Sequence, residues 1–229
     1  MSDIHGCYAE YLEMLNKIGF SDEDELFILG DALDRGRDPI PLLLDLMHRT
    51  NVHFIQGNHD CIAEHILRKL YIDGAATLTS SDIKRLSNWL CEGGRPTKEQ
   101  FYALEADTQK KILDFIRGSP TYAELTIQGK KFILVHGGLP NFDSEKKLCE
   151  YDKRMLTETR TDYGKPYFTD AVLVTGHTPT FLINEAYRGK IYTHGGHIAI
   201  DCGCVFGSGL GCICLDDFQE YYVQSINKG

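Results

Sequence analysis

Residues 26–36 read LFILGDALDRG, an apolar run that ends in glycine and leads into two aspartates. The first part, Leu26 to Leu29, is typical of a short strand buried on both faces of a sheet. Residues 52–60 read VHFIQGNHD and have the same organisation. Because open α/β sheets place their sites at the carboxyl ends of strands, both stretches predict an α/β fold with polar groups at one sheet edge.

Three other segments also place histidine beside glycine. They are DIHG at 3–6, VHGG at 135–138 and GHTP at 176–179, and the last two follow predicted strands at 132–135 and 172–175. One buried His or Asp is often an ordinary core residue, but five such clusters at strand ends are difficult to explain by packing. Burying several carboxylates and imidazoles together is costly for each uncompensated charge. A pair of metal ions would compensate these charges, so the pattern predicts a dinuclear metal site.

Helical periodicity fills the segments between these strands. Residues 8–18 place apolar side chains along one helical face, and residues 39–48 begin with proline, which suits the first helical position. Further helices are predicted at 61–70, 80–94 and 97–116. Thr97 and Gln100 match a capping box at the start of the last one. We expect one domain that spans the whole chain of 229 residues, with a helical insertion at about 62–118.

The last third of the chain has many glycines between short strand-like runs. These runs lie at 191–192, 197–201, 211–215 and 220–223, and they predict antiparallel hairpins in a second sheet. Four cysteines between Cys202 and Cys214 form two Cys-x-Cys pairs here. Small apolar thiols packed in strands explain them better than a four-cysteine zinc site, which usually has wider spacing.

The composition disfavours several classes of protein. The net charge of −9 argues against a dedicated nucleic-acid binder, which would carry a basic face. No apolar run reaches the roughly 20 residues of a membrane helix, and no signal peptide is recognisable, so we expect a cytoplasmic protein without a membrane partner. The same negative charge would repel phosphorylated substrates unless metal ions or arginines supply local positive charge.

The ordered motifs resemble those of the calcineurin-like metallophosphoesterase superfamily, and within it the bacterial PPP-type serine/threonine protein phosphatases. That family carries G-D-x-H-G, G-D-x-x-D-R-G, G-N-H-D/E, a later H-G or H-A and a final G-H-T. The match runs from Asp3 to about Asp201, with Ser2 where the family usually has glycine. Only Met1 and Ser2 precede the first motif, where a leading strand would need about five residues. The resemblance implies an α/β fold, a β-sandwich flanked by helices in four layers, α/β/β/α.

The resemblance also implies a ligand set for two divalent metal ions. One ion would be bound by Asp3, His5 and Asp31, and the other by Asp31, Asn58, His136 and His177. Asp31 would bridge the two ions, about 3.5–4 Å apart, which would activate water for attack on phosphorus. Manganese is the metal implied for bacterial relatives, and the mixed Asp, His and Asn ligands also suit iron or zinc.

Catalytic and substrate-binding roles follow from the same resemblance. His59 would protonate the leaving oxygen as a general acid, and Asp34 would orient His59. Arg35 would hold the phosphate oxygens with its planar set of donors, and Asn58 would also contact the substrate.

A second phosphate-binding arginine is expected between the last two histidine motifs. The candidates are Arg154 and Arg160. The spacing of the family favours Arg160, whereas Arg154 fits the charged face of a helix.

The predicted function is dinuclear-metal-dependent hydrolysis of phosphate monoesters, with phosphoserine and phosphothreonine in proteins as leading substrates and small phosphoesters also accepted. The first alternative is a hydrolase of diadenosine tetraphosphate or other dinucleoside polyphosphates, which would share the metal ligands. The intact Asp34-Arg35-Gly36 favours the phosphatase, because that arginine reads a terminal phosphate. A second alternative, a non-catalytic phosphate-binding or scaffold protein, is disfavoured because His59 and every proposed ligand are present. The motifs do not indicate the oligomeric state.

Overall fold

The computed structural model describes residues 1–226 and begins with an α/β unit. Strand β1 (Leu26–Leu29) pairs in parallel with β2 (Val52–Ile55); helix α1 (Tyr8–Ile18) precedes them and α2 (Pro39–His48) connects them. These four elements have the bounds that the sequence pattern predicts. Leu29 and Ile55 are partners at the end of the ladder, so the loops after both strands leave the sheet side by side.

A five-stranded sheet forms the second layer of strands. It consists of β3 (Tyr122–Ile127), β4 (Lys130–Val135), β5 (Ala171–Thr175), β6 (Tyr192–His194) and β7 (His197–Ala199), in the order β3-β4-β5-β7-β6. The central strands β4, β5 and β7 are parallel, and both edge strands are antiparallel to their neighbours. Strand β3 was not among the predicted strands, because exposed residues interrupt it and it has no continuous apolar run.

The predicted second sheet in the last third of the chain is only partly correct. β8 (Leu210–Ile213) and β9 (Glu220–Val223) do form an antiparallel hairpin of their own, which packs on α1. The hairpin of β6 and β7 instead belongs to the five-stranded sheet, because β7 pairs with β5. Local turns determine a hairpin, whereas the strand that pairs with its outer edge comes from elsewhere in the chain.

The two layers of strands face each other across an apolar core. Leu29 and Ile55 from the first layer meet Phe132 and Leu134 from the second. Helices pack on the far side of β1 and β2, and the segment that contains α7 (Lys153–Glu158) covers the far side of β4 and β5. This α/β sandwich flanked by helices confirms the predicted fold class.

The segment between β2 and β3 is helical. Its helices are α3 (Asn58–Tyr71), α4 (Ser80–Trp89), α5 (Arg95–Tyr102) and α6 (Ala106–Gly118). The helix predicted at 80–94 is wrong at its end, because Leu90–Gly94 form a π-helical turn in which Gly93 has a φ of 113°. The helix predicted at 97–116 is two helices, separated after Tyr102. The predicted capping box at Thr97 does not form, because Thr97 lies inside α5 and its hydroxyl bonds to Asp34.

Short helical turns complete the chain. They are α8 (Thr180–Ile183) and the 3-10 turns Ala75–Thr77, Leu148–Glu150, Glu185–Tyr187 and Cys204–Phe206. Within residues 1–226, the four cysteines from Cys202 to Cys214 do not gather around one point, and Cys204 lies beside Cys7 and Glu10. No helix in that range is long and apolar enough to cross a lipid bilayer.

Candidate active site

The loop at residues 3–6 lies along the loop that follows β1. The backbone N–H groups of Asp3, His5 and Gly6 donate to the carbonyls of Gly30, Asp31 and Ala32 over 2.9–3.0 Å. Asp3, His5 and Asp31 have φ values of 50°, 46° and 52°. Positive φ is uncommon for residues other than glycine and concentrates at functional sites. These two loops therefore hold three predicted ligands in a strained backbone at one end of the sheet.

The Asp31 carboxylate lies at the centre of the site. Its Oδ2 is 3.5 Å from His5 Nε2 and 3.4 Å from His136 Nε2. Two groups of potential metal ligands include Asp31: one adds His5 and His59, and the other adds His136 and His177. In each group the ligand atoms lie within 4.8 Å of one another. A carboxylate shared by two groups is the arrangement that a pair of bridged ions needs.

The hydrogen bonds of the imidazoles fit a metal centre. His5 Nδ1 is 2.7 Å from the Leu33 carbonyl, and His136 Nδ1 is 2.7 Å from the Leu29 carbonyl. Each Nδ1 must carry the proton that these carbonyls accept, so each Nε2 lies on the side of the Asp31 carboxylate. Hydrogen bonds from the other ring nitrogen to a backbone carbonyl fix the tautomer that ligates metal. Positive charge compensates the carboxylate here through the Arg35 guanidinium at His5 and through a proton on His136, and divalent ions could take that place, so the donor set fits them.

The pKa values of the histidines in the site are shifted in opposite directions. Burial lowers the pKa of His5 to about 3 and, together with nearby charge on His136, lowers the pKa of His177 to about 4. Burial also disfavours the charged form of His136, but the carboxylates of Asp31 and Asp3 outweigh it and raise that pKa to about 10. The carboxylates thus create a strongly negative place beside His136, where a bound cation would replace a proton.

The remaining predicted ligands lie around Asp31 and His136. Asn58 begins α3, and its Oδ1 is 3.1 Å from His136 Nε2. The Oδ2 of Asp3 accepts the backbone N–H of His177 over 2.9 Å, which ties the first motif to the last. Burial, and then the charge of Asp31, contribute to raising the pKa of Asp3 to about 6. The structure therefore brings all six predicted ligands together, and their roles as ligands stay predictions.

His59, Asp34 and Arg35 form a chain of side chains beside the ligands. His59 Nδ1 is 2.8 Å from Asp34 Oδ2, and His59 Nε2 is 2.7 Å from Arg35 Nη2. Arg35 Nη1 is 2.5 Å from His5 Nε2, and its guanidinium lies over the ring of Phe206. Burial opposes protonation of His59, but the Asp31 charge and the Asp34 hydrogen bond outweigh it and raise its pKa. In this arrangement the Arg35 guanidinium donates to His59 Nε2 and His59 Nδ1 donates to Asp34, so Nε2 can take a proton only once Arg35 moves away.

Two residues of the helical segment, which the sequence analysis missed as site residues, anchor Asp34. Trp89 Nε1 donates to Asp34 Oδ2 over 2.7 Å, and Thr97 Oγ1 donates to Asp34 Oδ1 over 2.7 Å. The Asp34 N–H in turn donates to Thr97 Oγ1 over 2.9 Å, and the Arg35 N–H donates to the Gly93 carbonyl. Trp89 is the only tryptophan of the chain, but no local pattern links it to a residue 55 positions earlier.

Two further aspartates belong to the site. The Asp60 carboxylate accepts backbone N–H groups from Asp31, Ala32, Leu33 and Gly57, and so joins the loops after β1 and β2. Asp201 is buried and follows β7, and burial together with the charge of Asp3 raises its pKa well above its usual range. Asp60 closes the GNHD motif and Asp201 follows a strand, so both signals were available in the sequence.

The two candidate arginines differ in their surroundings. Arg154 Nε donates to Glu158 one helical turn away, over 2.8 Å on the exposed face of α7. Arg160 follows α7, is exposed and contributes to lowering the pKa of His177. Of the two arginines, Arg160 is thus the one whose charge acts on a predicted metal ligand. Its contact with phosphate stays a prediction.

The α/β sandwich and its cluster of carboxylates and imidazoles define a hydrolase of the metallophosphoesterase class. A model of the calcineurin-like phosphoesterase family matches residues 1–209. The chain belongs to that family, as the motifs predict.

Named relatives cover almost the whole chain. A Geobacillus sp. (strain WCH70) protein named bis(5'-nucleosyl)-tetraphosphatase PrpE, asymmetrical, is 27% identical over 260 residues, covering 98% of this chain and 93% of its own. A Nitrosomonas europaea protein named bis(5'-nucleosyl)-tetraphosphatase, symmetrical, is 35% identical over 149 residues, covering 64% of this chain and 46% of its own.

Solved structures share the fold. A crystal structure provisionally described as a diadenosine tetraphosphatase has a TM-score of 0.66 at 20% identity, covering 99% of this chain and 92% of its own. A cold-active protein-tyrosine phosphatase from a psychrophilic Shewanella has a TM-score of 0.51 at 18% identity, covering 98% and 79%. At such low identities the likeness concerns the fold alone.

These comparisons correct the predicted function. The expectation of a phosphoserine and phosphothreonine protein phosphatase is wrong, because relatives that match nearly the full chain are named tetraphosphatases of dinucleotides. A phosphorylated protein as partner accordingly has no support. The error has a chemical cause, since the quoted motifs hold metal ions and one phosphate, and both activities need those groups.

Proposed function

We propose that this chain hydrolyses dinucleoside polyphosphates, with diadenosine tetraphosphate as the leading substrate, at a centre of two divalent metal ions. The observation that carries the chemistry is the Asp31 carboxylate, which two groups of ligand atoms share. The choice of substrate is supported by relatives named bis(5'-nucleosyl)-tetraphosphatases that align over 98% of the chain.

The proposed ligands divide between two ions. Asp3, His5 and Asp31 would hold one, and Asp31 would share the other with Asn58, His136 and His177. The bound ions would supply positive charge for the phosphate oxygens and an activated water. Manganese is the proposed metal, with iron and zinc as alternatives, because carboxylate, amide and imidazole donors suit all three.

The residues beside the ions would act on the polyphosphate itself. His59 Nε2 faces Arg35 and the ligand cluster, whereas its Nδ1 is held by Asp34. Once Arg35 turns to the substrate, His59 would hold a proton at Nε2, in keeping with its raised pKa, and give it to the oxygen of the departing nucleotide. The Arg35 guanidinium would exchange its contacts with His5 and His59 for oxygens of the phosphate under attack. Arg160 would add charge from the side of His177.

A substrate comparison at fixed manganese concentration tests this function. We expect kcat/KM for diadenosine tetraphosphate to exceed that for a phosphoserine peptide by about a hundredfold or more, a difference of roughly 2.7 kcal/mol in transition-state binding. Chromatography of the nucleotide products would show whether the cleavage is symmetrical. Equal or greater efficiency on the phosphoserine peptide would refute the proposal, as would turnover that survives removal of all metal.

A further inference from the structure

A groove of about 520 Å³ runs along α3 between α4 and α7. Its floor includes Ile62 and His65 from α3. Lys84 and Arg85 from α4 line one wall, and Lys153 from α7 lines the other. The volume is within the usual range for small-molecule sites, roughly 300–1,000 Å³.

The groove extends away from the proposed metal centre. Asn58, Ile62 and His65 lie on one face of α3, since they are four and then three residues apart. At about 1.5 Å per residue, His65 is roughly 10 Å further along the helix than Asn58. Trp89 also lines the groove, and its indole N–H donates to Asp34 beside His59. The buried Trp89 side chain therefore connects the groove to Asp34 and His59.

The groove carries unpaired positive charge. Lys84, Arg85 and Lys153 have no ion-pair partner in the part of the chain that the structure describes. Of the carboxylates near them, Glu158 is paired with Arg154, and Asp82 is paired with His65 and Lys69. Glu92 is the remaining carboxylate of the lining. A cationic groove on a chain of net charge −9 concentrates anions beside the site.

A dinucleoside polyphosphate needs such a place outside the metal centre. Two ions about 3.5–4 Å apart engage only the phosphate under attack. The other phosphates and one nucleoside must lie elsewhere, and each additional phosphate brings negative charge. We propose that the groove between α3, α4 and α7 binds the distal phosphates of the substrate, with Lys84, Arg85 and Lys153 as their charge partners. This inference rests on the proposed function, because it assigns a further subsite to the same substrate.

The test compares the double variant Lys84→Gln/Arg85→Gln with a control, Lys110→Gln/Lys111→Gln. The control removes the same charge from the exposed surface of α6, outside the groove. In the groove variant, the ratio of KM for diadenosine tetraphosphate to KM for p-nitrophenyl phosphate should rise about tenfold, from the loss of two exposed charge contacts. The control should keep the wild-type ratio.

Calorimetric titration with inorganic tripolyphosphate at fixed free manganese gives a readout that needs no turnover. Its Kd should rise about tenfold in the groove variant, while the Kd of orthophosphate, which occupies the metal centre alone, should change much less. Unchanged tripolyphosphate affinity, or equal effects of both double variants, would overturn the groove assignment. A wild-type chain that binds tripolyphosphate through the groove but does not cleave the dinucleotide would overturn the proposed function and leave the anion subsite standing.

Discussion

Thr97 offers the sharpest test of how the helical segment supports the site. Its hydroxyl donates to Asp34 Oδ1 over 2.7 Å and accepts the Asp34 N–H over 2.9 Å, and both residues are fully buried. Thr97→Val keeps the shape but leaves Asp34 Oδ1 and the Asp34 N–H without their Thr97 partner, while Oδ2 keeps its bonds to His59 and Trp89. One lost bond involves a carboxylate and the other a neutral amide, so the cost is about 3 kcal/mol. For a chain of this size the melting temperature should fall by roughly 6–12 °C.

The activity of the same variant should also fall, because Asp34 would no longer fix the orientation of His59. Misplacing a catalytic group by about 1 Å costs up to roughly 100-fold in rate, so kcat on diadenosine tetraphosphate should drop about 10- to 100-fold. p-Nitrophenyl phosphate releases a phenolate about as basic as the terminal phosphate of a departing nucleotide, so its turnover should fall to a similar degree. Steady-state kinetics and metal analysis on the same preparation would measure both effects.

Thr97→Ser is the matched control, since serine retains both hydrogen bonds and loses only a methyl group. It should cost about 1 kcal/mol and keep near wild-type kcat. The reasoning is refuted if the Ser and Val variants lose activity to the same degree, or if Val loses stability while kcat on both substrates stays at the wild-type value.

Four other predictions follow from the site and its surroundings. His59→Asn should reduce kcat on the dinucleotide by roughly 100- to 10,000-fold while bound metal per chain, measured by elemental analysis, stays at the wild-type value. Asp31→Asn should lose metal and activity together, because one carboxylate serves both ligand groups. Arg160→Gln should raise KM for the dinucleotide, whereas Arg154→Gln, which breaks only an exposed pair with its own helix, should not. Asp82→Asn should lower the melting temperature at pH 7, and by less as the pH falls below about 4, because hydrogen bonds from His65 and Thr79 hold the pKa of Asp82 below its usual value.

The sign of the Asp82 prediction follows from linkage. A carboxyl group with a depressed folded-state pKa contributes stability above the unfolded value of about 3.9 and loses it as the pH falls further. A stability difference between wild type and Asp82→Asn that grows toward low pH would contradict it.

Retained metal in Asp31→Asn, or equal KM changes in the two arginine variants, would contradict the corresponding assignments.

The sequence by itself determined the parts of this protein that depend on short stretches. Apolar runs and helical periodicity gave the bounds of β1, β2, α1 and α2, because burial patterns repeat every two or 3.6 residues. The proximity of the motif residues at strand ends could be predicted, because the loops that follow parallel strands lie at one edge of the sheet. The same patterns did not predict β3, an edge strand with a weak pattern. They also gave the wrong role for Thr97, which bonds to Asp34, 63 residues earlier, and does not cap a helix.

Only the tertiary structure decided which side chains support the catalytic ones and what surrounds them. Trp89 and Thr97 reach Asp34 from helices that share no sequence pattern with it, and the cationic groove draws its walls from two helices about 70 residues apart in the chain. Such contacts depend on how helices pack, which no local spacing encodes. Substrate choice belongs to this second category, because the motifs bind ions and a single phosphate, whereas recognition of the rest of a polyphosphate requires surfaces that exist only in the folded chain.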